Sequence, residues 1–398
     1  MSTPASTENH PNILLRLWRD KDTRSVFIQI ITMVIVFTFL GLIINNVVNN
    51  LEIAGKDFSF GFLNYPAGYD ITFQPFISYS PTDTHLRAAA VGILNTLLVA
   101  VSGVIIASIL GFTMGVLRLS NNRLISRLVS VFLEFTRNVS ALLHILFIYS
   151  IFLYVLPVPK KAINISDTVF LTNRGFIFPS PVFEDGFGFV WIALLAAIAI
   201  VVFFVRWERK NQDATGENYP VFSISLAILF GLPLIVFFIS GAPMAWEIPA
   251  LKGFNFKGGT SIKPEYIALT FALSYYTACF IAEIVRAGIL AISRGQTEAA
   301  LALGLLPNRS LQLVVIPQAL RVIIPPLASQ YLNLTKNSSL AIAIGYMDVV
   351  ATVGGITLMQ TGKEMETMII VLLTYLFFSL IISAFMNWFN RRMALVER

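Results

Sequence analysis

Residues 293–322 read SRGQTEAALALGLLPNRSLQLVVIPQALRV, and they differ from the sequence on either side. The segment is too apolar for a solvated linker and too interrupted for a membrane span, yet apolar spans flank it. Thr297 can cap a helix, and residues 298–303 are strong helix formers with Glu298 in the first turn. Gly304 can take the left-handed conformation that ends a helix, and Pro307 follows shortly after. The spacing predicts a helix of about two turns that shows Ala299, Ala300, Leu303 and Leu305. A second helix starts near 308–310 and runs into the bilayer with a kink at Pro317. A short apolar helix outside the membrane needs a cover. Either it packs on the protein's own helix ends, or it docks in a groove of a cytoplasmic partner.

The flanking sequence explains why such a segment stands out. Of 398 residues, 56% are hydrophobic and only 13% are charged, where soluble proteins carry about 25% charged residues. Mean hydropathy is +0.75. Too little polar surface remains for a water-facing body, so the chain reads as an integral membrane protein. Soluble enzymes, disordered proteins and secreted disulfide scaffolds are set aside. The single cysteine, Cys279, excludes an intrachain disulfide, and the three histidines are too scattered for metal spacing.

Apolar runs of membrane-spanning length lie at about 26–48, 88–117, 139–156, 188–205, 221–243, 265–288, 323–358 and 367–389. This predicts an all-α, polytopic protein with about eight crossings. The first run is too long for a signal-peptide core and lacks a cleavage site, so it reads as a retained span. Eight crossings put both termini on one side. Counting Lys and Arg in alternating connections gives 18 on the side of the termini and 9 on the other, with Lys336 inside a crossing. The positive-inside rule then makes both termini cytoplasmic. The basic balance of +6 is accounted for by orientation, and no nucleic-acid role is expected. The exported segments 49–87, 157–187 and 244–264 are rich in Gly, Pro, Asn and aromatics and long enough to pack as small caps.

Glu298-Ala299-Ala300, then three residues, Gly304, nine residues and Val314-Val315-Ile316-Pro317 resemble the EAA loop of ABC-transporter permeases. In that family the loop forms a coupling helix seated in a cleft of the ATP-binding subunit. The resemblance implies that Glu298, Ala299, Ala300, Leu303, Gly304 and Pro317 couple this chain to an ATPase. Residues 92–154, beginning GILNTLLVAVSGVIIASILGFTMGVLRLS, resemble the first core helices of the polar amino-acid permeases. So do 265–292, with AEIVRAGI, and 325–348, with PPLASQYLNLTKNSSLAIAIGYMD. One departure is visible: members often carry Arg-Gly-Thr-Pro where this chain has Arg137-Asn138-Val139-Ser140. Length and layout are similar to the larger permease of the general L-amino-acid transporters.

The resemblance implies a type I ABC importer permease fold, divided in five. A cytoplasmic segment (1–25) precedes an extra span and exported loop (26–84). The first part of the core (85–156) and the second (264–398) then flank a two-span insertion (157–263). It also implies a bacterial inner-membrane location and three partners: a cytoplasmic ABC ATPase dimer, a second homologous permease, and a periplasmic amino-acid-binding protein. No cofactor is expected on this chain itself; ATP and Mg would belong to the ATPase. The residues agree, since the nearest approach to a P-loop, Gly362-Lys363, is followed by Glu364 and has Thr357 where the first glycine belongs.

Polar residues at bilayer depth are the candidates for a substrate path. Glu283 is either a counter-ion for an α-ammonium or the partner of Arg286 one turn on. Lys336, Asn337 and Ser338 belong to a polar cluster at 333–339 that a continuous lipid-facing helix would not tolerate. A broken helix lining a cavity would. Lys336 then holds a carboxylate or snorkels from a span end. Asp348 beyond it reads as an outer-face residue. Asn95 and His144 could meet a zwitterion or bond between helices, and Gly111 with Gly115 reads as close helix packing. An ion-coupled secondary transporter, or an ABC permease for another small polar solute, remains as the alternative. A membrane-embedded enzyme would need convergent acid–base or metal residues that the sequence lacks.

Overall fold

The structure, a computed structural model, describes residues 21–53, 58–215 and 219–393; the readings made on 1–20, 54–57, 216–218 and 394–398 fall outside them. Its helices are α1 (Lys21–Ile53), α2 (His85–Arg118), α3 (Arg123–Asn138), α4 (Ala141–Tyr154), α5 (Phe187–Thr215), α6 (Val221–Ile239), α7 (Pro264–Leu290), α8 (Arg294–Ala302), α9 (Ile316–Asn337) and α10 (Glu364–Met393). Among the described residues, seven helical segments are long and apolar enough to cross a bilayer. The bent pair α3 and α4 makes an eighth if it is one span.

The centre is α7 against α2. Along α7, Ala268, Leu269, Ala272, Leu273, Ala278 and Ile281 are wholly buried. Ser274 Oγ meets Gly103 O at 3.4 Å, Gly111 faces Ile281, and Gly115 faces Val285. These pairs advance together along both helices, so α2 and α7 run in the same direction. A Cβ on Gly111 would fall 2.6 Å from Ile281, and one on Gly115 2.7 Å from Val285. Only a residue without a side chain permits that separation. The third core helix, α9, runs the other way: Gly288 faces Ile323, and Gly103 faces Leu334. Tyr331 OH lies 2.8 Å from Ser108 Oγ. The apolar side chains of α1 and α6, by contrast, are largely exposed within the chain, as expected of helices that face lipid or another subunit.

Three features depart from the sequence expectation. The basic stretch 118–138, between the apolar runs at 88–117 and 139–156, is mostly α3, which meets α4 at 104°. Leu124, Leu128, Val131 and Phe135 are exposed on it, with Arg123, Arg127 and Arg137 interspersed, the composition of a helix lying at the membrane surface. Val139 and Ser140 are both extended at the bend, so a sharp turn forms here without the glycine and proline common in related sequences. The long crossing read at 323–358 is instead Leu311–Ile344. It closes in a tight helix over Ser338–Ile344, capped by left-handed Gly345. A separate wide-turn helix, Val350–Thr357, follows.

The third departure is β structure in the two-span insertion. Strands β1 (Ile163–Asn164), β2 (Phe170–Thr172), β3 (Gly175–Phe178), β4 (Ser180–Phe183), β5 (Met244–Glu247), β6 (Ala250–Lys252), β7 (Asn255–Lys257) and β8 (Thr260–Ile262) flank the α5–α6 pair. β4 pairs antiparallel with β5, extending the helical hairpin as a ribbon. β1, β2, β3 and β8 form an antiparallel sheet in that order, and β8 leads into α7. The loop between α1 and α2 packs as a cap, with Ile71 and Ala67 buried against Ala88 and Val91.

Replacing Gly111 or Gly115 by leucine should force α2 off α7 and cost about 1–3 kcal/mol of overpacking. The purified variants should unfold a few degrees below the wild type in a thermal scan. An unchanged midpoint would mean that the two helices separate freely, against the close contact described.

Candidate functional site

The short helix at the heart of the sequence reading is α8. It starts at Arg294 rather than at Thr297, with Ser293 ahead of it in an extended conformation, so it is a turn longer at its start than expected. Its end falls where glycine predicts. Gly304 has φ +82°, Gly304 N donates to Leu301 O, and Leu305 N donates to Ala300 O, which together close the helix in a Schellman-type cap. The two covers weighed for this helix divide between its faces. Ala300 is buried in its own chain, whereas Leu303 is 84% exposed and Leu306 is 71% exposed. Glu298 and Ala299 are exposed too.

Pro317 shapes the chain between α8 and α9. Proline has no N–H and its ring crowds the carbonyl four residues back. The chain answers with a widened turn over Leu311–Val315, in which Ile316 N donates to Leu311 O, and α9 proper begins beyond it. Gln318 Nε2 donates to Gln296 Oε1 at 3.2 Å, tying α8 to the start of α9. The exposed cap of α8 thus sits between α7 and α9, with short connections on either side.

On the last turns of α7, ahead of α8 in the chain, lies a charge cluster. Glu283 accepts from Arg118 of α2 and from Arg286, whose Nη2 lies 2.7 Å from Oε1. Arg137 of α3 approaches the same carboxylate at 3.9 Å and stacks its guanidinium over the Phe280 ring at 5.3 Å. Of the two roles open to Glu283 in the sequence, the structure realises the pairing with Arg286, and the carboxylate also serves Arg118 and Arg137. One acid with three guanidinium groups leaves the cluster net positive and joins the C-terminal ends of α2, α3 and α7.

The remaining polar candidates fall into two places. His144 is buried, with Nε2 3.1 Å from Thr136 O and Nδ1 2.7 Å from Tyr275 OH. It borders a largely apolar cavity of about 680 Å³ between α3, α4 and α7, walled by Phe132, Phe147 and Phe271. Asn95 lies on the N-terminal half of α2, wholly buried. Its Nδ2 donates to Phe73 O and Met347 O, both at 2.9 Å. Its Oδ1 has no partner among the described residues.

Ser338 is buried and donates to Thr335 O at 2.7 Å, while Asn337 is half-buried and Lys336 is exposed just before the helix tightens at Ser338. Among the described residues, no ion pair involves Lys336.

Asp348, read from the sequence as an outer-face residue, is fully buried. Its Oδ1 accepts from Ala351 N at 2.8 Å, capping the wide-turn helix. Tyr375 OH donates to its Oδ2 at 3.4 Å and lies 3.4 Å from Ser338 Oγ. Thr96 Oγ1 accepts from Val349 N at 3.0 Å. Asn95, Thr96, Ser338, Asp348 and Tyr375 therefore converge around 346–352, away from Glu283 and from His144. The Asp at the head of a glycine-containing helix was the visible hint of a cap.

Glu283→Ala would leave three cations without a counter-charge at a part-exposed site. The expected loss is about 1–2 kcal/mol. In a double-mutant cycle, Arg118→Ala should cost about 1 kcal/mol less in the Glu283→Ala background than in the wild type. Additive shifts in thermal midpoint would mean that the pair contributes nothing.

Residues 218–395 match the family model described as "binding-protein-dependent transport system inner membrane component". Over 95% of this chain and 94% of the relative, it is 49% identical to the general L-amino acid transport system permease protein AapQ of Rhizobium johnstonii. It is 46% identical, over 95% of this chain and 96% of the relative, to the glutamate/glutamine/aspartate/asparagine transport system permease protein BztB of Rhodobacter capsulatus. A putative amino-acid ABC transporter permease of Escherichia coli, YhdX, is 46% identical over 94% of this chain and 95% of its own. With its membrane-crossing helices and the exposed, glycine-capped helix between α7 and α9, the chain belongs to the amino-acid ABC transporter permeases, the multi-pass membrane components of binding-protein-dependent import systems.

Proposed function

We propose that this chain imports L-amino acids of broad range as one of two permease subunits. A dimeric cytoplasmic ATPase binds ATP and Mg, and a periplasmic amino-acid-binding protein delivers the cargo. The observation that carries the reading is Leu303 with Gly304: an apolar side chain left 84% exposed at a left-handed cap. That surface fits a protein groove better than water. Glu298, Ala299 and Ala300 set the helix, and Pro317 sets its angle to α9. Two ATPase subunits offer two clefts, so a second permease supplies the second coupling helix. Both termini are cytoplasmic, and the membrane is the bacterial inner membrane. Within the spans, Lys336 is the residue best suited to a substrate carboxylate, being exposed at a helix break with Asn337 and Ser338 beside it. Asn95, with a buried oxygen free to accept, suits the ammonium.

Gly304→Asp adds a charge and a side chain where φ is positive. It should leave the protein inserted in the membrane and lower uptake at least about tenfold, equivalent to roughly 1.4 kcal/mol or more of coupling. Normal uptake would remove the assignment of α8. Uptake in reconstituted vesicles should stop on ATP depletion and persist with an uncoupler; the reverse pattern identifies an ion-coupled carrier. Lys336→Ala should raise the half-saturating amino-acid concentration severalfold without disturbing assembly, the loss of one charge-assisted bond worth about 1.5–3 kcal/mol at most. Unchanged kinetics would return Lys336 to a snorkelling role.

A further inference from the structure

The exported insertion holds polar groups that the fold itself does not use. Thr172 and Gly175 are register partners, so Asn173 and Arg174 form the tip of the β2–β3 hairpin. On the neighbouring strand, β8 pairs Ser261 with Ile177 and is followed by Lys263, the residue that flanks the first turn of α7. Arg174, Lys263, Asn255 and Ser261 line one cavity of about 180 Å³, floored by Ile177 and Phe256. Its rim is the Gly258-Gly259 connection between β7 and β8. Gly259 has φ +67°, and a Cβ there would fall 2.6 Å from Phe178 O, so the strand approach that shapes the cavity depends on glycine. Among the described residues, none of the four polar side chains has a hydrogen-bond or ion-pair partner. Two acids lie close by in the fold or the chain. Glu247, along Gly258, accepts from Ser180 Oγ at 3.4 Å, and Glu265, in the first turn of α7, accepts from Tyr149 OH at 3.2 Å. Among the described residues neither pairs with Arg174 or Lys263.

We propose that this cavity receives an acidic side chain of the periplasmic binding protein and thereby fixes where that protein sits on the outer face. The proposal rests on the importer reading above. A guanidinium fork and an ammonium converging with two neutral donors form a carboxylate receptor. The N-terminus of α7 adds its partial positive charge beside Lys263. The volume suits one side chain, not a helix or a strand. A free amino acid presents its own ammonium beside its carboxylate, which these cations repel; an Asp or Glu side chain does not. The exported parts of the insertion carry six cations and four acids, which favours an acidic partner. β8 continues through Lys263 into α7, whose 27 residues span about 40 Å and end at α8. A load placed on the cavity therefore bears on the helix that leads to the ATPase side.

The test uses the complete transporter, assembled with its ATPase and second permease in lipid nanodiscs. The probe is the binding protein that stimulates its ATP hydrolysis. Arg174→Gln with Lys263→Gln should weaken binding-protein affinity at least about tenfold and flatten its salt dependence. Stimulated hydrolysis at saturating binding protein should stay at the wild-type level. Lys252→Gln removes a charge from β6 outside the cavity and should change affinity less than about twofold. Equal affinity in the double variant overturns the proposal, and so does an equal loss in Lys252→Gln, which would mean diffuse attraction only. If L-glutamate alone alters hydrolysis in the wild type but not in the double variant, the cavity takes free amino acid and the docking role falls. A wild type that no binding protein stimulates would overturn the importer reading itself, a different result from a stimulated wild type matched by its variants.

Discussion

The close approach of α2 and α7 at Gly111 and Gly115 is the contact on which the rest of the molecule depends. In a bilayer, apolar side chains gain little by leaving lipid for protein, so association must come from packing and hydrogen bonds. Two glycines one turn apart let the backbones meet, with Ala278 O and Ala282 O within about 3 Å of where their side chains would be. Gly288 repeats the device against Ile323 of α9. Once these three helices are fixed, the connecting loops have a platform. Thr96 and Asn95 of α2 hold the 346–352 segment, and Ala88 and Val91 hold the cap between α1 and α2. Helices that lack such contacts, α1 and α6, remain peripheral.

The charge cluster at the C-terminal ends of α2 and α7 arises from the same geometry. Because α2 and α7 run in parallel, Arg118 and Glu283 arrive at the same level from two helices. α3 then brings Arg137 to them after its turn along the membrane surface. A lone carboxylate there would be costly, and three guanidinium groups without it would repel one another. The cluster therefore ties three elements together through one residue. This accounts for Glu283 better than a place in the substrate path, since both oxygens are engaged within the chain.

Much of this was legible in the sequence because it is local. Span positions follow from composition, the end of α8 from Gly304, and the glycine contact from spacing alone. The features that escaped a sequence reading depend on pairing across distance. The strands of the insertion have two to four residues each, too short for an alternation to emerge. β3 finds β8 only after the α5–α6 hairpin has brought them together. α3 hid for another reason: its apolar residues recur at helical spacing between arginines, so an average over the window reads as a polar loop. The burial of Asp348 escaped because the long crossing was read as one helix, whereas Gly345 breaks it and the carboxylate caps the helix that follows. Among the candidate residues, those capping or pairing locally could be argued from sequence. The convergence of Asn95, Ser338 and Tyr375 could not.

These contacts constrain how force could pass through the protein. α8 is joined to α7 by three residues and to α9 by the Gln296–Gln318 bond and a widened turn, so a partner gripping α8 acts on both spans together. α7 is continuous over its whole length and buried along most of it, which suits a rod. α9 is interrupted at both ends, by the turn before Pro317 and by the tight helix before Gly345, which suits an element that can change its angle. Packed helices shift between discrete arrangements more readily than they bend. A partner can favour one arrangement only by binding it more tightly than the other. Leu303 and its cap are placed for such a difference, because a small rotation of α9 about the turn before Pro317 would change how far that side chain projects while leaving the glycine contact of α2 with α7 intact.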